Sequence, residues 1–212
     1  MLKIYSRVMS HKIATFAPVK KAVTIYGASS ADIDPRYCDA GREAGSLLAR
    51  AGLTLICGGG RYGLMGAAIE GAAAEGGEII GVLPRFMDER GWDNPALTRK
   101  VVTDGMHSRK EWMLANSDAV IATPGGVGTF DELIEAITWR KLNLWKGNVV
   151  ILNTLGYFDP LIAMLERSVE QRFMNPDHCQ LWTVADTPAQ AVAAALGQSG
   201  AEAPDSFSQT AG

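Results

Sequence analysis

A glycine-rich turn followed closely by a glutamate is the part of this sequence best suited to chemistry. Residues 124–129 read Pro-Gly-Gly-Val-Gly-Thr, and Glu132 follows within one helical turn. Where such a turn opens a helix, free backbone N–H groups and the positive end of the helix dipole can bind a phosphate group. The pattern therefore predicts a phosphate site formed by Gly126, Val127, Gly128 and Thr129, with a carboxylate beside it.

Other segments of the sequence point to the same kind of ligand. The turns 27–30 and 58–63 are rich in small residues, and each directly follows an apolar run. Glycine lets a ligand approach the backbone without a side chain in the way. Arg109 and Lys110 begin a predicted helix, where cations oppose the helix dipole and so favour a nearby anion. A phosphorylated small molecule is the expected ligand.

Each of these motifs also has another interpretation. Thr129 and Glu132 have the T-x-x-E spacing of a capping box, in which both side chains satisfy free donors at a helix start. Residues 58–63 match G-x-G-x-x-G, the dinucleotide fingerprint, although that motif belongs to the first βα unit and here follows the second predicted strand. Arg85 could then meet the extra phosphate of NADP. Arg109 and Lys110 could instead form a solvated basic patch.

The elements that must position these motifs alternate between short apolar strands and amphipathic helices, as in βα units that form a parallel sheet. Strands are predicted at 22–26, 53–57, 78–83, 119–122, 148–152 and 181–184, with a possible short one at 101–103. One helix is predicted between Asp34, an N-cap, and Gly52; the others are predicted at 63–75, 107–116, 128–143, 158–172 and 188–196. The carboxyl ends of parallel strands share one rim, so the three turns should face a common site.

The chain organisation follows from composition. Residues 21–197 form one predicted α/β domain. Residues 1–20 are basic with no acid and are predicted to be a loosely packed N-terminal extension, with a cleaved targeting segment as the alternative. Residues 198–212 contain almost nothing apolar and are predicted to be a disordered tail.

Charge and cysteine content narrow the class of function. The net charge of −3 in 212 residues provides no basic field for a nucleic acid, and no apolar run approaches the ~18 residues of a membrane span. Three widely spaced cysteines predict neither a disulfide scaffold nor a zinc site, which favours a reducing, cytoplasmic location. We expect no metal and no cofactor, because the site already holds cationic groups and has no ligand cluster.

The motifs together resemble those of the LONELY GUY (LOG) family. The resemblance covers roughly residues 21–196 and rests on 58–66, on Gly-Val-Leu-Pro at 81–84, on Met-His-Ser-Arg-Lys at 106–110 and on 124–132. Members of that family are cytokinin riboside 5′-monophosphate phosphoribohydrolases, which release an adenine-type base and ribose 5-phosphate. Relatives are often labelled lysine decarboxylases, but nothing here predicts a Schiff-base lysine for pyridoxal phosphate.

The resemblance implies a Rossmann-like three-layer sandwich around a central parallel sheet, a homodimer or larger assembly, and an active site completed at a subunit interface. It implies that Arg109 and Glu132 are the catalytic pair. The residues expected to contact the substrate are Lys110, Gly125, Gly126, Val127, Gly128, Thr129, Phe130, Asp131, Thr138, Glu89, Gly27, Ser29, Gly59, Gly60 and Met106. Glu89 is the candidate for a further family glutamate, in a loop that Gly-Trp-Asp-Asn-Pro at 91–95 makes longer than usual.

The expected reaction is hydrolysis of the N-glycosidic bond of a cytokinin riboside 5′-monophosphate. Such cleavage builds positive charge on the ribose. Glu132 would either stabilise that charge or activate the water that attacks the ribose. Arg109 would hold the phosphate or the ribose in place. One alternative is a broader nucleosidase acting on AMP or other purine nucleoside 5′-monophosphates. The other, from a different class, is a non-catalytic nucleotide-binding or carrier protein.

Overall fold

A central parallel sheet organises the chain. The computed structural model describes residues 21–197, so the predicted extension at 1–20 and the predicted tail at 198–212 lie outside the described residues. Seven strands hydrogen-bond in the order β4-β3-β2-β1-β5-β6-β7, and every pair is parallel. The strands are β1 (Ala22–Tyr26), β2 (Thr54–Cys57), β3 (Ile79–Pro84), β4 (Arg99–Thr103), β5 (Ala119–Ala122), β6 (Asn148–Leu152) and β7 (Thr183–Ala185).

Helices connect successive strands and cover both faces of the sheet. They are α1 (Pro35–Arg50), α2 (Gly63–Ala74), α3 (Arg85–Asp88), α4 (Met106–Ala115), α5 (Val127–Lys141), α6 (Asp159–Glu170) and α7 (Pro188–Leu196). Within the described residues, none of these helices has the length and apolar character needed to cross a membrane. The α/β class with a central parallel sheet, predicted from the βα alternation, is confirmed.

Alternation along the strands divides the core into two layers. In β1, Val23 and Ile25 belong to the cluster that packs against α1, α2 and α7. Ala22 and Tyr26 belong to the opposite cluster, formed with α4, α5 and α6. Because successive strand side chains point to opposite faces, one apolar strand can supply both layers. The result is a three-layer sandwich whose central strands are fully buried.

Local sequence signals account for the ends of α1. The Asp34 carboxylate accepts a hydrogen bond from the backbone N–H of Arg36 at 2.9 Å, and Pro35 occupies the first helical position. After the helix, Gly52 has a φ of +71°, a left-handed conformation that glycine adopts without strain. Both predicted boundary signals are confirmed.

Three short helices were not predicted from the sequence. The four-residue α3 follows β3 directly, and two 3₁₀ helices occur at Thr154–Gly156 and Pro176–Leu181. The possible strand at 101–103 is confirmed and is longer, since β4 begins at Arg99 and pairs with β3. Very short helices lack the repeated apolar spacing on which sequence analysis depends.

Helices α1 and α2 approach each other through glycine. A Cβ added at Gly45 would collide with the backbone carbonyl of Ala68, and one at Gly71 would collide with that of Arg42. Helix backbones can come this close only where no side chain separates them. The contact fixes α2, whose first residues form part of the functional rim described below.

Replacing Gly45 with alanine should therefore destabilise the fold. Alanine raises helix propensity by about 0.5–1 kcal/mol, but relieving the collision with Ala68 should cost about 1–3 kcal/mol and outweigh that gain. We expect a lower urea midpoint with an unchanged slope. Glu43→Ala, at an exposed position of the same helix, is the matched control and should change little. A Gly45→Ala protein as stable as the unmodified chain would contradict this view of the contact.

Candidate active site

A cavity of about 730 Å³ opens at the carboxyl ends of the central strands. Its walls come from the turns after β1, β2 and β5, from the segment after β3 and from the start of α4. This is the rim at which open parallel sheets bind ligands. The volume lies within the range typical of small-molecule sites. The three glycine-rich turns therefore do face a common site, as the sequence predicted.

A buried ion pair forms part of the cavity wall. Arg109, in the first turn of α4, donates from Nη1 to Oε1 of Glu132 on α5 at 2.9 Å, and both side chains are less than a tenth exposed. The Nε of Arg109 also donates to the Val82 carbonyl of β3 at 2.9 Å. A Cβ at Gly58 would collide with the guanidinium, so that glycine makes room for it. Three separate elements thus fix the position of one carboxylate.

The surroundings of Glu132 shift its acidity in opposite directions. Burial raises the pKa of the Glu132 carboxyl above its usual value, while the neighbouring charge and hydrogen bond of Arg109 oppose that rise. Desolvation is the larger effect, and the pKa of Glu132 is raised overall. Perturbed acids in clefts are frequent at functional sites.

The start of α5 differs from the capping box that the sequence suggested. The helix begins at Val127 with Gly126 as its N-cap, and no side chain of the described residues caps it. Thr129 is therefore the third helical residue rather than the N-cap, and the Glu132 carboxylate bonds to Arg109 instead. The capping-box interpretation is wrong because the N-cap is Gly126, three residues before Thr129.

This early start leaves donors at the cavity. The first backbone hydrogen bond of the helix runs from the Phe130 N–H to the Gly126 carbonyl at 3.1 Å. The N–H groups of Val127, Gly128 and Thr129 precede it, and helix-start amides of this kind have no partner within the helix. Val127 and Gly128 are exposed and line the cavity. Such a helix start can bind a phosphate group.

The glycine turns are locked to one another by backbone contacts. The Ala28 N–H donates to the Pro124 carbonyl at 3.0 Å, and the Met65 N–H donates to the Ala28 carbonyl at 3.0 Å. Gly63, with a φ of +64°, packs against the carbonyls of Ala28 and Ser30. A side chain there would be strained and would also collide with the first turn. The rim is consequently one connected structure rather than three independent loops.

Lys110 lies on the acidic side of the cavity. Its Nζ pairs with Asp131 at 2.9 Å and with Glu135 at 3.2 Å. Burial lowers the pKa of Lys110, but the hydrogen bonds that its amine donates to these two carboxylates outweigh that effect, so its pKa is raised and the amine stays charged. This strongly paired cation is unlike the uncharged amine that forms a Schiff base.

The structure brings together most of the residues predicted to contact substrate. The cavity is lined by the predicted residues Gly27, Ser29, Gly60, Met106, Arg109, Lys110, Gly126, Val127, Gly128, Thr129, Asp131 and Glu132. Five other predicted residues, all in the described part of the chain, are not among those lining it: Gly59, Glu89, Gly125, Phe130 and Thr138.

Each of those five has another location. Phe130 packs edge-on against Phe158 in the core, and the Gly125 carbonyl accepts from the Tyr157 hydroxyl at 2.6 Å. Gly59 is buried beneath the rim, with a φ of +74°. Glu89 is exposed at the end of α3. Thr138 is exposed on α5 and donates to the Ile134 carbonyl at 2.8 Å.

The dinucleotide interpretation finds no support in the geometry. The G-x-G-x-x-G turn follows β2, whereas that fingerprint follows the first strand of its fold. Arg85, which would have met an NADP phosphate, is exposed, pairs with Asp104 at 3.4 Å and is not among the residues that line the cavity.

Several cavity residues were missed by the sequence analysis because they are apolar. Tyr62, Met65, Leu83, Met87 and Trp92 all line the cavity. Met65 and Leu83 lay within the recognised motifs, so their position near the site could have been inferred. Trp92 and Met87 lie in the segment after β3, where the sequence offered only a lengthened loop as a signal.

Comparison with known proteins first relates the fold to solved structures. The molybdenum cofactor binding protein from Rippkaea orientalis matches with a TM-score of 0.64 and 25% identity, over 82% of this chain and 94% of that one. The molybdenum cofactor carrier protein from Chlamydomonas reinhardtii matches with a TM-score of 0.64 and 27% identity, over 82% and 95% of the two chains.

Relatives found by sequence share a higher identity with this chain than those solved structures do. LOG1 of Arabidopsis thaliana is named as a cytokinin riboside 5′-monophosphate phosphoribohydrolase. It is 36% identical to this chain over a region that spans 74% of this chain and 73% of LOG1. LOG of Oryza sativa subsp. japonica, with the same activity in its name, is 34% identical over 81% and 71% of the two chains. The family model described as "Possible lysine decarboxylase" matches residues 65–195. The chain belongs to this family, the LONELY GUY (LOG) family of phosphoribohydrolases.

Proposed function

We propose that this protein hydrolyses the N-glycosidic bond of cytokinin riboside 5′-monophosphates. One water is consumed, and the products are the free N6-modified adenine and ribose 5-phosphate. Relatives at 34–36% identity carry this activity in their names. The observation that carries the proposal is the buried Arg109–Glu132 pair, fixed in the wall of a cavity beside a helix start with free amides.

The phosphate end of the substrate is assigned to the start of α5. The N–H groups of Val127, Gly128 and Thr129 would donate to phosphate oxygens, supported by the helix dipole. Glu132 follows on the same helix, so a ribose attached to that phosphate would lie beside its carboxylate. The base would then extend toward the apolar part of the cavity.

The chemical step depends on charge that develops on the sugar. As the bond between C1′ and the base nitrogen breaks, the electron pair leaves with the base and the ribose becomes oxocarbenium-like. The ionised carboxylate of Glu132 stabilises that positive charge. The water oxygen then bonds to C1′, and one of the two water protons balances the negative charge of the departing base. Arg109 holds the carboxylate in place and favours its ionised form, so its role centres on Glu132.

A homodimer is the assembly we propose. Ile134 and Thr138 on α5 and Leu142, its C-cap residue, are all exposed and are spaced four residues apart, so they form one stripe along the helix. An exposed stripe with apolar members is a suitable contact surface. Contact through this stripe would give Thr138 a place at a subunit interface, although it does not line the cavity of its own chain. The cytoplasmic location stays a prediction.

A carrier function is the second candidate, because the solved structures described above are molybdenum cofactor binding and carrier proteins at 25–27% identity. Binding and release alone do not need a buried carboxylate beside a sugar site.

Incubating the protein with isopentenyladenosine 5′-monophosphate and with AMP, then measuring free base and ribose 5-phosphate, distinguishes a cytokinin-specific hydrolase, a broader nucleosidase and a carrier.

Replacing the carboxylate of Glu132 with an amide should abolish turnover. Glu132→Gln keeps the size of the side chain but removes the charge that stabilises the oxocarbenium-like sugar, and we expect kcat to fall by at least ~10². The measurement is release of free base from isopentenyladenosine 5′-monophosphate. Because the buried Arg109 guanidinium then loses its charge partner, the melting temperature should fall, so the rate is measured well below it, where an unchanged far-UV circular dichroism spectrum shows that the fold is retained.

Glu166→Gln, at an exposed position of α6, is the matched control and should retain full activity. A Glu132→Gln protein with a near-normal rate would show that the carboxylate has only a structural role.

The pH dependence of kcat should reveal the raised pKa of Glu132. The ionised carboxylate is the active form, so kcat should fall as the pH drops through the pKa of this group. Because burial raises that pKa above 4.5, the acid limb should lie above pH 4.5. Measuring kcat at saturating substrate reports groups in the enzyme–substrate complex. An acid limb at or below pH 4.5 would be inconsistent with this environment.

A further inference from the structure

The segment after β3 is fastened to the glycine turn after β2 by one arginine. Arg61 donates from Nε to the Asp93 carbonyl at 2.6 Å and from Nη2 to the Gly91 carbonyl at 2.8 Å. The Asn94 N–H also donates to the Gly59 carbonyl at 2.8 Å. The backbone on both sides of Trp92 is thus held by a side chain that lies 30 residues earlier in the sequence.

Trp92 lines the cavity, and a second arginine contacts its ring. The guanidinium of Arg90 lies 5.2 Å from the centre of the Trp92 ring and 6.0 Å from that of Phe86. These are cation–π distances, and such a contact restricts the position of the ring. About half of the Trp92 side chain remains exposed, at the part of the rim that Met87 also lines. Arg61 holds the backbone of this segment and Arg90 restricts the ring, so the exposed aromatic surface is preorganised to pack against an apolar group.

Sheet order places this surface far from the proposed phosphate site. The neighbours run β3-β2-β1-β5, so the turn after β5 and the segment after β3 are three strand intervals apart. At about 4.8 Å per interval, the two are separated by roughly 14 Å. A nucleoside monophosphate bound by its phosphate at Gly126–Thr129 would reach across this rim with its ribose near Glu132. Its base would then extend toward Trp92 and Met87.

We propose that Trp92 is a specificity-determining residue that packs against an apolar substituent on the exocyclic nitrogen of the base, and that Arg61 is the positioning residue that holds it there. This inference rests on the proposed function and deepens it, because it assigns the discrimination between alkylated and unsubstituted adenine nucleotides to one side chain. Unmodified AMP lacks the group that would cover the ring. An isopentenyl chain supplies five carbons that can be buried on Trp92.

The test compares two substrates in the full-length protein. We expect Trp92→Ala to lower the ratio of kcat/KM for isopentenyladenosine 5′-monophosphate to kcat/KM for AMP by about tenfold, since differences of this size follow from loss of apolar contact in a pocket. Phe173→Ala removes an aromatic ring that is even more exposed but does not line the cavity, so it is the matched control and should leave the ratio unchanged.

A double-mutant cycle tests the role of Arg61. Arg61→Ala alone should lower the same ratio, because the backbone around Trp92 is released. Adding Arg61→Ala to Trp92→Ala should then change the ratio no further, since both substitutions remove one interaction. Additive losses would show that Arg61 acts on the substrate directly and would overturn its positioning role. Arg61→Lys keeps the charge but cannot donate to both carbonyls as the guanidinium does, so it should not restore the ratio.

A binding measurement separates failure of this inference from failure of the proposed function. Calorimetric affinities of both nucleotides are measured with Glu132→Gln and with the Glu132→Gln, Trp92→Ala double variant. Preferential binding of the isopentenyl nucleotide that disappears in the double variant supports the inference even if no hydrolysis is detected. Hydrolysis of both nucleotides with a ratio unaffected by Trp92→Ala would overturn it and leave the proposed function standing. Equal affinities of the two nucleotides for Glu132→Gln would also overturn it.

Discussion

The ion pair between Arg109 and Glu132 is the interaction on which the arrangement of the site depends. A carboxylate that is over nine-tenths buried would be strongly destabilised without a cation beside it. The cation is available only because Arg109 is itself anchored on the Val82 carbonyl, and only because Gly58 leaves space for the guanidinium. The first turn of α4, the start of α5 and the ends of β2 and β3 must therefore all be in register. The fold thereby holds one carboxylate at the rim in a fixed orientation.

Glycine provides the second constraint, because several backbones meet at the rim without side chains between them. Gly63 packs on the turn after β1, and Gly45 and Gly71 allow α1 and α2 to touch. At the start of α5 the same residue type has a different effect: Gly126 caps the helix without a side chain, so the amides that follow stay available to a ligand. Glycine thus has two effects at the rim. It allows close packing, which stabilises the fold, and it leaves backbone amides open to a ligand, which favours binding.

Much of this architecture could be predicted from the sequence, because its signals are local. Apolar runs marked the strands, and Asp34 and Gly52 marked the ends of α1. The errors arose where a local pattern had competing solutions or where long-range contacts decided the outcome. Thr129 and Glu132 have capping-box spacing, but Gly126 starts the helix earlier and Arg109 binds the carboxylate from 23 residues away. Family resemblance, not spacing, suggested that pair. Trp92 was missed because it is apolar and because the contacts that place it come from Arg61, which no local pattern connects to it.

The likeness to molybdenum cofactor carriers is informative about which parts of the site set its chemistry. A helix start with free amides and a glycine-rich rim are suited to any phosphorylated ligand, so this part of the structure is compatible with carriage as well as with hydrolysis. Hydrolysis of a glycosidic bond needs in addition a fixed, ionised carboxylate beside the sugar, and here Arg109 supports that state against the effect of burial on the pKa of Glu132. Selectivity for the base depends on neither feature. We assign it, as proposed above, to the far side of the rim, to the segment after β3 that carries Trp92.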